Sequence, residues 1–224
     1  MQNLLTIENL LDLEHTIAAS YFAKLTYPWE ALPEISRWIL ELGQTLFPEE
    51  YEQREKDVWI ARSAKVYPSA YVAGPAIIGP NTEVRHCAFI RGNALVGANC
   101  VVGNSVELKN VVLFDNVQVP HYNYVGDSIL GYKAHMGAGS ITSNVKSDKT
   151  LVTLRAHGKT IETGLKKFGA ILGDGVEIGC NTVLNPGSIV GRGASVYPVS
   201  MVRGYVMAHS IYKKAGEIVP REDR

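Results

Sequence analysis

The sequence predicts a β-solenoid of hexapeptide repeats, preceded by a short helical N-terminal region. Two observations predict the solenoid: an aliphatic residue recurs every six positions, and a mostly small residue follows each one after four positions. A period of six fits neither an α-helix nor a two-sided strand, but it fits a three-sided coil with one hexapeptide per side. A β-sandwich would instead alternate with a period of two. The first run of aliphatic positions is Ile60, Val66, Val72, Ile78, Val84, Ile90, Val96, Val102 and Leu108.

The repeat continues with two shortenings and one interruption. The spacing drops by one position before Leu113 and again before Leu130, and the pattern resumes at Leu172 after a polar stretch at 142–171. Glycine and asparagine, in IGPN, VGAN and IGCN, are expected at the corners because they reach left-handed backbone conformations at low cost. The polar stretch predicts a loop inserted into the coil, and such loops often build binding faces.

Three regions follow from this pattern. Residues 1–57 are predicted to be a helical N-terminal region and linker, because helical apolar spacing is followed by the charged stretch FPEEYEQREKD. Residues 58–206 form the predicted solenoid domain, and residues 207–224 a loosely held C-terminal tail. We expect the helical region to cap the open N-terminal end of the coil, where unpaired strand edges would promote aggregation.

Composition excludes several classes of function. The chain has 22 basic and 22 acidic residues, so it lacks the basic footprint of a nucleic-acid-binding protein. No apolar run is long enough to span a bilayer, and the leading MQNLLTIENL is a poor signal peptide. The three cysteines are interpreted as small buried residues in a reducing cytosol. We therefore expect a cytoplasmic protein that binds neither nucleic acid nor membrane.

Four motifs resemble a known family: IRGNALVGANCVVGNSVELKN, VPHYNYVGDSILG, MGAGSITSN and GAILGDGVEIGCNTVLNPGSIVG. They are similar to the left-handed β-helix acyltransferases. More narrowly, they resemble the acetyltransferase half of bifunctional N-acetylglucosamine-1-phosphate uridyltransferase / glucosamine-1-phosphate acetyltransferase. The resemblance implies a left-handed parallel β-helix that assembles as a homotrimer. It also implies acetyl-CoA as co-substrate, no metal for acetyl transfer, and an amino sugar phosphate as acceptor.

The resemblance also assigns roles to individual residues. His121 falls on the catalytic histidine of the family. Arg91 and Lys109 fall on the basic pair that holds the phosphate. Tyr124 falls on a tyrosine that lines the sugar-phosphate site, and Asn144 falls on an asparagine of the amino-sugar site.

Other positions match the family less closely. His135 stands where the bacterial enzymes have an asparagine near the sugar, and a solvated corner residue is the alternative. The family's later lysine has no clean counterpart, and Lys146 or Lys149 is the candidate, with a solvated loop as the alternative. The positions assigned to coenzyme A are Ala138, Gly139 and Cys180. For Ala138 and Gly139 the alternative is a structural corner of the coil, and for Cys180 it is packing in the coil.

The residue types themselves suit acetyl transfer to an amine. The amine must be deprotonated before it attacks, and histidine, with an ordinary pKa of about 6.5, suits the task of base. No nucleophilic motif is visible, which favours direct attack on the thioester. Arg91 and Lys109 are three hexapeptides apart, which is one turn of a three-sided coil, so they should stack as a phosphate clamp. His121 follows Lys109 by two hexapeptides and should lie on a different side.

Two other classes of function are alternatives to an acetyltransferase. One is a non-catalytic scaffold or sugar-phosphate-binding protein of the same fold. The other is a γ-class carbonic anhydrase, which uses three histidines on zinc; His86 and His121 suit it, but the third position is Gly126. Residues 1–57 contain no G-x-G-T-R loop of the uridyltransferase type, so no nucleotidyl transfer is expected.

Overall fold

The computed structural model describes residues 2–156 and 159–221, and it shows a β-solenoid whose parallel strands stack in three faces. Strands of the first face are Val58–Ala61, Ala76–Ile78, Ala94–Val96, Ala170–Leu172, Ser188–Val190 and Tyr205–Val206. Strands of the second face are Lys65–Val66, Glu83–Val84, Val101–Asn104, Gln118–His121, His135–Met136, Glu177–Ile178, Ser195–Val196 and Ser210–Lys214. Strands of the third face are Tyr71–Val72, Phe89–Ile90, Ile141–Thr142, Val183–Leu184 and Met201–Val202. Two long strands, Glu107–Leu113 and Tyr124–Leu130, turn the corner from the third face to the first.

Strand pairing reproduces the predicted repeat and its two shortenings. Val58 pairs with Ala76 and Ala76 with Ala94, so each of these turns takes three full hexapeptides. Ala94 pairs with Val111 and Val111 with Ser128, so each of the next two turns is shorter by one position. The predicted β-solenoid and its phase shifts are confirmed.

The inserted stretch leaves the coil and returns to it. Ile129 pairs with Ile171, which lies more than two turns' worth of chain further on, although the two strands are direct neighbours. Within the insertion, Thr153–Ala156 and Lys159–Glu162 form an antiparallel hairpin. The stretch therefore contains a β-hairpin of its own.

The aliphatic residues of the repeat form the interior. All of those predicted between Ile78 and Leu130 are at most 1% exposed, while Val66 and Val72 in the first turn are only half-buried. Asn81, Asn99 and Asn181 occupy corners with φ between 55° and 56°, as predicted for residues that reach the left-handed region easily.

The prediction that all three cysteines are buried is wrong for two of them. Cys100 is buried, and burial raises the pKa of its thiol to about 12. Cys87 and Cys180 are exposed because they occupy outward turns between faces, and Cys87 has a φ of 61°.

The two ends of the solenoid are closed by antiparallel strands. Tyr51–Glu55 pairs with Val58–Ala61 at the N-terminal end. Glu217–Pro220 pairs with Ser210–Lys214 at the C-terminal end. The predicted linker and loose tail are therefore wrong over these strands. Tyr51–Glu55 is rich in charged residues because an edge strand faces solvent on one side, where charges discourage further pairing.

The N-terminal region consists of short helices. Three are 3₁₀ helices, Gln2–Leu5, Leu13–His15 and Pro28–Ala31, and three are α-helices, Ile7–Leu10, Ala19–Phe22 and Ile35–Gly43. The helical character was predicted, but the chain turns more often than its apolar spacing suggested. No helix in residues 2–156 or 159–221 is both long and apolar enough to cross a bilayer.

These helices lie along the side of the solenoid rather than over its end. Gly43 lies against the Trp59 ring of the first turn, where a Cβ atom would come within 2.5 Å of ring carbons. Near the start of the segment, the carbonyl of Leu10 accepts a hydrogen bond from the Asp174 N–H, at 3.0 Å. The segment therefore runs from later turns back to earlier ones, and the predicted N-terminal cap is wrong.

The physical reason is an apolar row on the outside of the first face. Every third hexapeptide carries a second apolar residue immediately before the inward one, and alternation along a strand points it outward. Members of this outer row are at most 5% exposed: Trp59, Ile77, Leu95, Val112, Ile129, Ile171 and Ile189. The N-terminal helices pack over this row, because burying apolar surface lowers the free energy of the fold by about 25 cal/mol per Å².

Candidate functional site

His121 lies at the corner between the second and third faces, at the end of the strand Gln118–His121. The N–H of Gly139 donates to the His121 carbonyl at 3.0 Å, and the N–H of Asn181 donates to the Ala138 carbonyl at 2.8 Å. Cys180, next to Asn181, is on the same corner one turn further along. The structure thus brings His121 together with Ala138, Gly139 and Cys180 in successive turns; we call this stack the His121 corner.

Asn123 fixes the backbone at the His121 corner. Its side chain is buried and its Oδ1 accepts a hydrogen bond from the His121 N–H at 3.2 Å. Its Nδ2 donates to the carbonyls of Gly137, at 2.9 Å, and Ser140, at 3.1 Å. The imidazole of His121 is exposed and forms no hydrogen bond with any described residue, so it is available to a ligand. Asn123 was not predicted from the sequence, although it stands at a repeat position where other turns have small residues.

Asp127 organises the opposite edge of the third face. Its carboxylate is 5% exposed and accepts hydrogen bonds from Lys109 Nζ at 2.9 and 3.0 Å. The amides of Asn110 and Asn144 donate to the same carboxylate. We call Lys109, Asn110, Asp127 and Asn144 the Asp127 cluster. Lys109 and Asn144 were predicted from the sequence, but Asp127 was not. Its position three hexapeptides after Lys109 is the feature of the sequence that could have indicated a contact between the two.

Tyr124 lies between the two edges. It begins the third-face part of its strand, where it pairs with Glu107 and Ile141 on the neighbouring turns. Its hydroxyl accepts a hydrogen bond from Asn144 Nδ2 at 3.2 Å. Burial, reinforced by the charge of Asp127, raises the pKa of the phenol. Tyr124 is three positions from His121 and three from Asp127 along the chain, so each edge is within about 10 Å of the tyrosine backbone.

Arg91 and Lys109 stack on successive turns, as their spacing predicted. Ile90 pairs with Leu108, and the Arg91 N–H donates to the Leu108 carbonyl at 2.9 Å. Arg91 also forms an ion pair with Glu107 at 2.6 Å, and this hydrogen bond raises the pKa of the guanidinium. Each cation of the predicted phosphate clamp therefore already has a carboxylate partner, and an incoming phosphate must compete with it.

Two predicted contacts lie elsewhere in this single chain. His135 is on the second face, where its Nδ1 lies 2.7 Å from Glu177 Oε2; this hydrogen bond raises the pKa of the imidazole. Lys149 is exposed in the inserted loop with a φ of 57°. Lys146, the alternative, lines a cavity of about 410 Å³ between the loop and the third face. Neither His135 nor Lys149 joins Tyr124 or the Asp127 cluster. Among the described residues, no group of three or more histidine, cysteine, aspartate or glutamate side chains is placed to hold a metal ion.

The chain is similar to several known proteins. The family model of the GMPPB C-terminal domain matches residues 72–191. The "Bifunctional protein GlmU" of Methanococcus maripaludis is 34% identical over 137 residues, which is 61% of this chain and 33% of that protein. The "Bifunctional sugar-1-phosphate nucleotidylyltransferase/acetyltransferase" of Sulfurisphaera tokodaii is 29% identical over 202 residues, 87% of this chain and 50% of that protein. A crystal structure of a variant of AntD, an N-acyltransferase from Bacillus cereus, covers 78% of this chain and 92% of that one, with 16% identity and a TM-score of 0.41.

The matches confirm the family resemblance that the sequence motifs indicated. The chain spans between a third and a half of the length of these two curated relatives. The activities in their names belong to longer proteins, so the matches alone do not assign them to the residues of this chain.

Proposed function

The chain belongs to the family of the GMPPB C-terminal domain, and we propose that it is an acetyl-CoA-dependent N-acetyltransferase acting on an amino sugar phosphate, such as glucosamine-1-phosphate. His121 is the proposed base. The proposed acceptor contacts are Arg91, Lys109, Tyr124, His135, Asn144 and Lys149, and the proposed coenzyme A contacts are Ala138, Gly139 and Cys180.

One observation carries the proposal: His121, whose imidazole bonds no residue in the described ranges, adjoins the proposed coenzyme A corner on one side and the proposed acceptor side chains on the other. The Gly139 N–H donates to the His121 carbonyl, so the two turns are in direct contact. Tyr124 follows three positions later and is hydrogen-bonded to Asn144. A base between the thioester and the amine is what acyl transfer requires.

The chemical step uses the groups at the His121 corner. The imidazole takes a proton from the acceptor ammonium, and the free amine attacks the thioester carbonyl. The attacking nitrogen loses its second proton to solvent, the carbon–sulfur bond breaks, and the imidazolium returns its proton to the leaving coenzyme A thiolate. Three N–H groups of the turn Gly137–Ser140 already donate to carbonyls, those of Gly137, Gly139 and Ser140. The remaining N–H, of Ala138, is the donor we assign to the developing oxyanion.

We further propose that the protein is a cytoplasmic homotrimer. Tyr71, Phe89 and Met201 expose 62%, 42% and 59% of their surface on the third face, and a neighbouring subunit would cover this apolar surface. His135 and Lys149 would then contact acceptor bound between subunits. Light scattering at micromolar concentration tests this, and a monomer would contradict it.

A thiol-release assay tests the activity. The protein is incubated with acetyl-CoA and each of glucosamine-1-phosphate, galactosamine-1-phosphate and a nucleotide-linked glucosamine. We expect free coenzyme A and an N-acetylated product with at least one acceptor. We propose no nucleotidyl transfer, so adding UTP and the sugar phosphate should release no pyrophosphate.

A non-catalytic sugar-phosphate-binding protein is the second candidate, because Arg91 and Lys109 are already neutralised by Glu107 and Asp127. Such a site would hold ligand weakly and has no need of an exposed, unpartnered histidine. If acceptors bind in calorimetry while none supports thiol release, the second candidate is correct.

A further inference from the structure

The inserted loop lies over a cavity whose lining residues are not among the proposed acceptor or coenzyme A contacts. The cavity is about 410 Å³ and lies where the loop meets the later turns of the third face. Ser143, Asn185 and Arg203 line it from the solenoid, and Lys146 and Asp148 line it from the loop. Its lining is therefore polar and charged.

The cavity continues the edge of the third face that carries the Asp127 cluster. Lys109 pairs with Gly126, and the register of the next turns puts Ser143, Asn185 and Arg203 in the same row. Turns are spaced by about 4.8 Å, so Arg203 is roughly 10 Å beyond Ser143 along the axis. A ligand anchored at Asn144 reaches Arg203 if a diphosphate and the arginine side chain together span this distance.

The charge balance changes along this row. Arg91 and Lys109 each have a carboxylate partner, whereas Arg203 is exposed and forms no ion pair with any residue in the described ranges. Lys146 Nζ lies 3.4 Å from Asp148 and 2.6 Å from the Thr150 hydroxyl. The charged groups lining the cavity are thus two cations and one carboxylate. An anion that enters the cavity can therefore pair with Arg203 without displacing a carboxylate.

We propose that this cavity binds a phosphate or diphosphate group, with Arg203 as the main contact and Lys146 as the second. An arginine fork binds two phosphate oxygens at once. Two substrates could supply the group: a nucleotide-linked amino sugar held by the Asp127 cluster, or the phosphates of coenzyme A. The source of the phosphate rests on the proposed function, whereas phosphate binding itself does not.

Calorimetry on the full chain tests the proposal with four probes: inorganic pyrophosphate, UDP, coenzyme A and 3′-dephospho-coenzyme A. The variants are Arg203→Gln and Lys146→Gln. Arg85→Gln is the matched control, because Arg85 is an arginine of the second face that pairs with Glu83. Thermal unfolding shows whether each variant folds. If Arg203→Gln does not fold, the binding results of Lys146→Gln test the proposal instead.

Pyrophosphate binding should weaken roughly tenfold or more in Arg203→Gln, the loss of one charge-assisted contact, and less in Lys146→Gln. Arg85→Gln should bind as wild type does. Weaker UDP binding with unchanged coenzyme A binding identifies the acceptor as the source. Weaker coenzyme A binding, without a change for 3′-dephospho-coenzyme A, identifies the 3′-phosphate instead. Unchanged binding of all four probes in both variants overturns the proposal. Failure of the acetyl-transfer assay leaves the pyrophosphate result standing, so the two claims fail separately.

Discussion

The first and third faces are built from the same repeat and differ in what lies on their outer side. The outer row of the first face is apolar and almost fully buried beneath the N-terminal helices. The outer side of the third face carries Arg91, Lys109 and Tyr124 and is open, with exposed apolar residues between them. The inward residue of each hexapeptide therefore specifies the coil, while the residues on either side of it specify what the face does.

The two faces also differ in the role of a carboxylate that is largely shielded from solvent, 15% exposed in Asp174 and 5% exposed in Asp127. Asp174, beside the first face, accepts backbone N–H groups of Asp12 at 2.7 Å and Tyr132 at 2.8 Å, which ties the N-terminal segment to the coil. Asp127, beside the third face, instead accepts hydrogen bonds from the side chains of Lys109 and Asn144, which belong to the proposed acceptor site. The third-face edge is also tied to the N-terminal segment, because Asn110 Nδ2 bonds both Asp127 and the Leu32 carbonyl.

The largest expected effect concerns activity at the edge of the third face. His121→Ala should lower kcat roughly 10²–10⁴-fold, the usual contribution of one acid–base group. The acceptor KM should change little, because Tyr124 and the Asp127 cluster remain. His86→Ala is the matched control: His86 lies on the same corner two turns away and bonds Ser69 at 2.8 Å. Steady-state kinetics measure both, and an equal loss in His86→Ala would contradict a specific role for His121.

The next effect concerns stability of the first face. Ile129→Ala should lower the free energy of unfolding by about 2–5 kcal/mol, because it leaves a cavity between the coil and the N-terminal helices. Ile141→Ala, on the third face, should cost clearly less because Ile141 is only half-buried. Urea unfolding measures both variants. Equal losses would mean that the two faces do not differ as described.

Lys109→Ala should affect both function and stability. Removing the ammonium leaves the Asp127 carboxylate with one partner fewer, which should cost about 1–3 kcal/mol, and acceptor KM should rise roughly tenfold or more. The double variant Lys109→Ala/Asp127→Asn removes the unpaired charge, so it should regain stability without regaining KM. If KM also recovers, the ammonium does not contact the acceptor.

The smallest effect is a pH dependence of stability that arises on the second face, away from the first and third faces. The Glu177 hydrogen bond raises the pKa of His135, so its stabilisation is full below the unfolded pKa of about 6.5 and is lost as pH rises through the folded pKa. Both groups are partly exposed, so the gain is at most roughly 0.2–1 kcal/mol. Unfolding of wild type and Glu177→Gln at low and high pH should differ only at low pH. A difference that grows with rising pH would contradict this assignment.

The sequence predicts the repeating part of the molecule well, because each inward residue packs on its equivalents in adjacent turns and the period is visible in the chain. The roles of Asp127 and Asn123 were not predicted, because each is a single polar residue whose partners come from other turns. The edge strand Tyr51–Glu55 was not predicted, because its charged residues are also typical of a linker. The place of the N-terminal segment could have been inferred from Ile77 and Leu95, whose spacing of one full turn marks one face as apolar outside as well as inside.

The most direct test of His121 as the base is the pH profile of His121→Ala with acetyl-CoA and the acceptor that wild type uses. We expect the rate of the variant to rise with pH relative to wild type, because more of the acceptor amine is then already deprotonated. A variant that keeps its kcat at every pH while binding acceptor more weakly would contradict this role. His121 would then be a ligand contact, and the third face would lack its proposed base.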